Sequence, residues 1–209
     1  MGLLQLVVDG LVPPLCAACG RPAQGAEPVL CARCERRLAA ARPLRGGGPA
    51  GIDRAWSSAP HEGVARDLVA SLKFRRLLPV AGLMAERIHR LAPGWVLGGE
   101  IVPVPTARLR SLARGFDPAA EIAAALAERS GRPLRGECLA RRGSGRQVGR
   151  LRGQRLGNPP RIHAHGAVPR SVLLVDDVLT TGATLSACAR ALREAGAARV
   201  VAVTFSRRL

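Results

Sequence analysis

The sequence predicts an α/β protein in which a mainly parallel sheet is flanked by helices and preceded by a small cysteine-rich module. Three observations carry that expectation. Between residues 52 and 205, short branched-apolar runs alternate with stretches of helical spacing, the pattern of strand–helix–strand units. Residues 172–184, Val-Leu-Leu-Val-Asp-Asp-Val-Leu-Thr-Thr-Gly-Ala-Thr, join a strand buried on both faces to a helix through a turn of small and hydroxyl residues. Two Cys-x-x-Cys pairs stand near the N-terminus, ahead of the alternation. The chain has 209 residues, 47% of them apolar, which allows one ordinary domain and a small one. The expected division is 1–50 for the cysteine module with its linker and 51–209 for the α/β domain.

Met1 to Val12 is apolar but interrupted by Asp9 and lacks a basic leader, so it reads as a packed helix rather than a signal peptide. No run of eighteen apolar residues predicts a membrane span, and the expected location is cytoplasmic. Cys16-Ala-Ala-Cys19 and Cys31-Ala-Arg-Cys34 each have the spacing of a knuckle that turns two thiolates toward one ion. Together they complete a tetrahedral zinc site with no open position, which is a structural rather than a catalytic arrangement. The loop between them is rich in Gly, Pro and Ala and cannot build its own core, so metal would hold it. Disulfides are the alternative, and a reducing compartment disfavours them.

Residues 42–51, Arg-Pro-Leu-Arg-Gly-Gly-Gly-Pro-Ala-Gly, have the composition of a linker. A strand is expected over 52–59 and a helix from Glu62 to about Lys73, with Val64, Leu68 and Leu72 on its apolar face. A second helix carries Val80, Leu83, Met84, Ile88 and Leu91 and stops at Pro93-Gly94. His61 and His89 stand alone and suggest no chemistry. In Ile101-Val-Pro-Val-Pro105 the prolines point to an irregular exit at the carboxyl edge of the sheet, where ligands of open α/β sheets bind. Asp117 is a good N-cap and Pro118 a good first residue for a helix that runs to Gly131. Leu134 to Leu139 offers another strand, and Arg199 to Phe205 the last.

Net charge is +17, and all but one of the 32 basic residues are Arg. Anionic partners such as pyrophosphate or nucleic acid fit that balance. A GC-rich coding bias produces the same composition, and both readings stand. Charge is densest from Arg141 to Arg161, where seven Arg interleave with Gly and no acid occurs. That stretch reads as a basic loop closing over an anion, or as a solvated surface loop. Aromatic content of 2%, with no Tyr, leaves few surfaces for stacking bases. Cys138 and Cys188 have no thiol or imidazole near them in sequence and suit core packing.

The stretch 172–184 carries the most specific chemistry. A helix N-terminus behind Thr180-Thr181-Gly182-Ala183-Thr184 presents N–H groups and hydroxyls to a phosphate, and Gly182 lets the backbone approach it. Asp176 and Asp177 lie beside that cradle and suit sugar hydroxyls or waters on Mg²⁺. A plain buried strand with a tight turn would not need this combination. A receiver domain, whose first strand also ends in Asp-Asp, needs a later Lys, and the single Lys of the chain is Lys73, upstream.

The stretch resembles the 5-phosphoribosyl-1-pyrophosphate (PRPP) motif of type I phosphoribosyltransferases. The resemblance implies that the acidic pair contacts the ribose 2′ and 3′ hydroxyls and that the threonine turn holds the 5-phosphate. The whole chain resembles the ComF family of competence proteins. That likeness rests on the four-Cys module, Leu72-Lys-Phe-Arg75, Val102-Pro-Val-Pro105, Arg114-Gly-Phe116, the spacing Gln147…Arg155…Asn158, and Val172–Thr184. It departs at Asp117-Pro118, where the family continues Asn-Gln. The implied fold is type I phosphoribosyltransferase-like, preceded by a zinc-ribbon or knuckle module. The implied ligand is PRPP with Mg²⁺, and the implied setting is the DNA-uptake machinery of natural competence.

Two functions are compatible with these residues. As an enzyme, the protein would use Asp176 and Asp177 at the ribose, Thr180, Thr181, Gly182, Ala183 and Thr184 at the 5-phosphate, and Arg108 or the basic loop at pyrophosphate. As a binding protein, it would hold single-stranded DNA through Arg141, Arg142, Arg146 and Arg150. No residue in the sequence stands out as a reader of a nucleobase.

Overall fold

A computed structural model describes residues 14–24, 28–106, 114–141 and 161–208, which form five helices and seven strands. The helix expected over 1–12 and most of the basic stretch 141–161 lie outside the described residues. Five strands make one sheet: β1 (Leu44–Gly46), β2 (Arg54–Pro60), β3 (Glu100–Pro103), β6 (Ser171–Leu179) and β7 (Arg199–Arg207), in the order β1-β2-β7-β6-β3. The pairs β2–β7, β7–β6 and β6–β3 are parallel; only β1 runs antiparallel, at the edge. A small hairpin, β4 (Leu139–Arg141) with β5 (Ile162–Ala164), stands apart from the sheet. The expected α/β architecture with a mainly parallel sheet is therefore present. Among the described residues no helix is long and apolar enough to cross a membrane.

β6 shows why the fold forms. Its side chains alternate between two buried layers, as a central parallel strand requires. Leu173 and Val175 face one apolar cluster with Trp56, Val203 and Phe205, together with residues of α2 (Gly63–Arg75), α3 (Pro79–Leu91) and α4 (Pro118–Ser130). Val172 and Leu174 face the other, with Ala202 and with Leu185, Cys188 and Leu192 of α5 (Ala183–Glu194). Cys188 and Cys138 are both buried there, as their sequence context suggested.

Three local differences from the sequence reading bear on the site. First, β6 includes the acidic pair, although its branched apolar run, Val172 to Val175, stops just before it. It continues through Leu179 because β7 still pairs with it, Asp176 against Thr204 and Val178 against Ser206. Second, the stretch expected as a linker contributes β1 and packs into the fold. Gly46 pairs with Ala55 there, beside the Arg207 guanidinium. Third, the strand expected over 134–139 is reduced to a bridge from Leu134 to Ile101, and the regular pairing begins at Leu139.

The cysteine module packs directly on the α/β body. Cys16, Ala17, Leu30, Cys34 and Leu38, the last two on α1 (Ala32–Ala40), belong to the same apolar cluster as Leu68, Leu72 and Met84. Arg87 fastens the exit of the module to the sheet. It is only 3% exposed, and its Nη2 donates to the carbonyls of Ala41 at 2.6 Å and Ser58 at 3.1 Å. Arg87→Met should remove both donors while keeping much of the packing, at a cost of about 1–3 kcal/mol in urea denaturation, since the buried Ser58 carbonyl and the half-buried Ala41 carbonyl lose their partner while the orphaned Arg87 Nε goes with it.

Candidate phosphoribosyl site and cysteine cluster

The pocket opens where β3 stops. β3 pairs with β6 only from Glu100–Val172 to Pro103–Val175. One more bond follows, Val104 N–H to the Val175 carbonyl at 2.9 Å, and then Pro105 has no N–H to continue the ladder. The chain peels away and leaves Asp176 and Asp177 past the last bond to β3, still supported by β7 on the other side. This is the crevice at the carboxyl end of a parallel sheet. The departing segment is fixed by Asp117, which accepts from the Thr106 N–H and hydroxyl, both at 2.9 Å, and from the Ala119 N–H at 3.0 Å. One carboxylate thus caps α4 and ties down the pocket wall, with Pro118 as the first helical residue.

The crevice has a volume of about 200 Å³. Its lining includes Asp176, Asp177, Thr180 and Thr184, with Lys73, Arg114 and Arg141 as cations. A smaller adjoining hollow of about 40 Å³ is formed by the turn from Leu179 to Leu185 and shares Asp176, Thr180 and Thr184 with the first. Gly182 is the N-cap of α5 with φ 75°, the left-handed region, and a Cβ there would lie 2.4 Å from Pro49 Cγ. The supposed linker therefore roofs the turn from behind, and only glycine fits beneath it. Thr180, Thr181 and Ala183 are exposed at the start of α5, with the Ala183 N–H 3.5 Å from the Thr181 hydroxyl, and hydroxyls beside a helix N-terminus suit a phosphate. Gly182→Ala is expected to cost about 2–4 kcal/mol, combining left-handed strain with overpacking against Pro49. Equilibrium denaturation measures it, and a variant as stable as wild type would contradict the packing described.

The two carboxylates are adjacent in sequence but face opposite layers. Asp177 points toward α2, where Lys73 Nζ lies 2.5 Å from its Oδ2. The contact is close, but the angles do not make an aligned hydrogen bond, and Asp177 Oδ2 has no other partner. Asp176 points toward α5 and accepts from the Asp177 N–H at 2.8 Å. Its carboxyl is held well above the usual carboxylate range, first by burial at the base of the crevice and then by the negative charge of Asp177. Pocket solvent reaches one side of it, so its accessible area is intermediate even though protein surrounds the rest. Two oxygen donors of this kind, one lacking an aligned partner, suit ribose hydroxyls or a hydrated divalent cation.

The structure brings together most of the residues selected from sequence. Asp176, Asp177 and the turn Thr180–Thr184 converge. Arg141, selected as a DNA contact, lines the pocket. Arg108, Arg142, Arg146 and Arg150 lie outside the described residues. Lys73 and Arg114 were not among the selected site residues. His61, which seemed isolated, sits at the same edge of the sheet. Its Nδ1 is 2.9 Å from Ser206 Oγ, and burial together with the charges of Arg208 and Lys73 depresses its pKa.

The four N-terminal cysteines converge as expected. Their sulfurs all lie within 4.8 Å of one another, and Cys19 Sγ is 3.7 Å from Cys31 Sγ. No cysteine is in a disulfide. Zn–S bonds of about 2.3 Å place tetrahedral sulfurs roughly 3.8 Å apart, so the donor set fits zinc. The knuckle backbone also fits. Burial alone would raise the Cys16 thiol, but N–H donors from Cys19, Cys31 and Ala18 hold it at about 6. Gly20 adopts φ 71° just behind the knuckle, and its N–H donates to the Cys16 carbonyl at 2.9 Å.

Residues 168–209 match the family described as "Phosphoribosyl transferase domain". The matched segment contains β6 with the acidic pair, the threonine turn, α5 and β7. A comparison with curated proteins returned no match. Fold, pocket and matched segment define a phosphoribosyltransferase-like protein with a cysteine cluster suited to zinc.

Proposed function

We propose that the protein binds PRPP together with Mg²⁺ in the crevice between β3 and β6. The observation that carries this reading is the set of groups gathered at one crevice: the hydroxyl-rich turn Thr180–Thr184, carboxylates at Asp176 and Asp177, and cations at Lys73, Arg114 and Arg141. Those three kinds of group suit a 5-phosphate, a ribose diol and a pyrophosphate. Mg²⁺ would neutralise pyrophosphate charge beside the carboxylates. In transfer, a nitrogen nucleophile bonds to the ribose anomeric carbon as the bond to pyrophosphate oxygen breaks, and the electron pair leaves with pyrophosphate. The carboxylates then face a ribose that has gained positive charge, and the cations receive the leaving group. The cysteine cluster would hold one structural Zn²⁺.

Calorimetry with PRPP tests the ligand, with binding expected in Mg²⁺ and at least about tenfold weaker in EDTA. No binding in either condition would end the reading. Pyrophosphate release stimulated by a panel of bases and amines tests transfer.

The resemblance to competence proteins supports a role in DNA uptake, and one feature favours direct binding of single-stranded DNA. Phe74 is 75% exposed beside the pocket, with the Arg114 guanidinium 5.4 Å from its ring, a surface on which a base can stack. Salt titration separates the two ligands. Arg142→Gln with Arg146→Gln should flatten the log–log slope of DNA binding by up to about 1.4, at roughly 0.7 per phosphate contact. Arg141→Gln should chiefly weaken PRPP. A slope unchanged by the double substitution removes that loop as the DNA contact.

A further inference from the structure

We propose that the cysteine module is a positioning element of the phosphoribosyl pocket, acting through Ser71 on Lys73. Ala17 lies inside the first knuckle, between Cys16 and Cys19. Its carbonyl accepts from Ser71 Oγ at 2.5 Å and from Arg75 Nη2 at 3.2 Å, both in the last turn of α2. Ser71 is 2% exposed, so the bond is sheltered from water. Lys73 lies between these two donors, and it is the residue that reaches across to Asp177 in the pocket.

The same turn is held from its far end. Arg76 caps α2 with φ 54°, the one left-handed non-glycine among the described residues. Such a conformation persists only where its surroundings fix it. Here the Arg76 guanidinium packs against Gly115, where a Cβ would lie 3.2 Å from Nη2. The turn that carries Lys73 is therefore clamped between the knuckle and the 114–116 segment. A long, flexible Lys side chain on a frayed helix end would spread over many positions. On a clamped turn, its ammonium is kept at Asp177, orienting that carboxylate and adding a cation where a polyanion enters. Metal in the cysteine cluster fixes the Ala17 carbonyl, and the carbonyl fixes the turn.

The proposal rests on the PRPP reading for its ligand, and a double-mutant cycle tests it on full-length protein. Wild type, Ser71→Ala, Lys73→Met and the double variant are each verified to carry one zinc, then titrated with PRPP and Mg²⁺. Lys73→Met is expected to weaken binding about tenfold or more, and Ser71→Ala about three- to tenfold, with zinc content unchanged. The double variant should match Lys73→Met, because Ser71 acts only through Lys73. Equal Ser71→Ala effects with and without Lys73 would overturn the proposal, as would full affinity in Ser71→Ala.

Amide hydrogen exchange gives a readout that needs no ligand. Ser71→Ala with zinc bound should lose protection over residues 72–77, roughly tenfold or more, while α5 on the opposite face keeps its own. Unchanged exchange over 72–77 would also overturn the proposal. Failure of wild type to bind PRPP would refute the ligand reading, and exchange would still decide the coupling.

Discussion

Protein carrying Cys31→Ser, or stripped of metal by a strong chelator, is expected to lose its cooperative thermal transition and to expose apolar surface. Structural zinc sites of this donor type contribute about 10–16 kcal/mol of apparent binding free energy near neutral pH. Whole domains are stable by only about 5–15 kcal/mol, so the metal term is as large as everything else combined. The sequence alone suggests that damage would stay within the first fifty residues. The packing extends it. Leu30, Cys34 and Leu38 share an apolar cluster with Leu68, Leu72 and Met84, so releasing the module uncovers one layer of the α/β body. Two measurements check this: zinc content by elemental analysis under reducing conditions, and near-ultraviolet circular dichroism during chelation. A metal-free protein with an unaltered melting transition would show that the cluster holds no structural ion.

What was legible in the sequence was local. Residues 172–184 announce strand, turn and helix within one short window because β6 is buried on both faces and Gly182 must turn the chain. The cysteine pairs are legible for the same reason: spacing within each knuckle defines its geometry. Asp117-Pro118 reads correctly as a helix start, yet its second function, holding Thr106 at the pocket wall, depends on a tertiary contact. Lys73 shows the limit most clearly. Its partner Asp177 lies far along the chain, and no helical periodicity reveals a contact between a helix end and a distant strand. One signal was available: a single Lys among 32 basic residues marks a position where a compact, flexible ammonium differs from guanidinium. The stretch 42–51 misled because Gly and Pro suggest flexibility by composition. Here β1 pairs with β2 and Pro49 packs over Gly182, so the stretch belongs to the fold.

Asp176→Asn and Asp177→Asn should both weaken PRPP binding yet move thermal stability in opposite directions. Each substitution removes a charge-assisted acceptor, worth about 1.5–3 kcal/mol, or about ten- to hundredfold in affinity. Their stabilities differ because their surroundings differ. The Asp176 pKa is raised in the folded state by burial and by Asp177. A raised folded pKa means that the native state holds this proton more tightly than the unfolded chain. The stabilising contribution is full below the unfolded carboxylate pKa and disappears as pH rises through the folded one. Once that stabilising contribution is lost the buried carboxyl is a burden on the fold, and Asp176→Asn should melt higher than wild type. That advantage should shrink toward acid pH. Asp177 instead faces Lys73 at 2.5 Å, with Lys73 24% exposed. Replacing Asp177 with Asn leaves that ammonium without its counter-charge, at a net cost of about 1 kcal/mol after allowing for solvent and for the relieved repulsion with Asp176. Melting temperatures from pH 5 to 8, with calorimetric PRPP titrations on the same samples, measure both effects. Destabilisation by Asp176→Asn at neutral pH would refute the buried-carboxylate account, and unchanged PRPP affinity in both variants would remove the acidic pair from the ligand site.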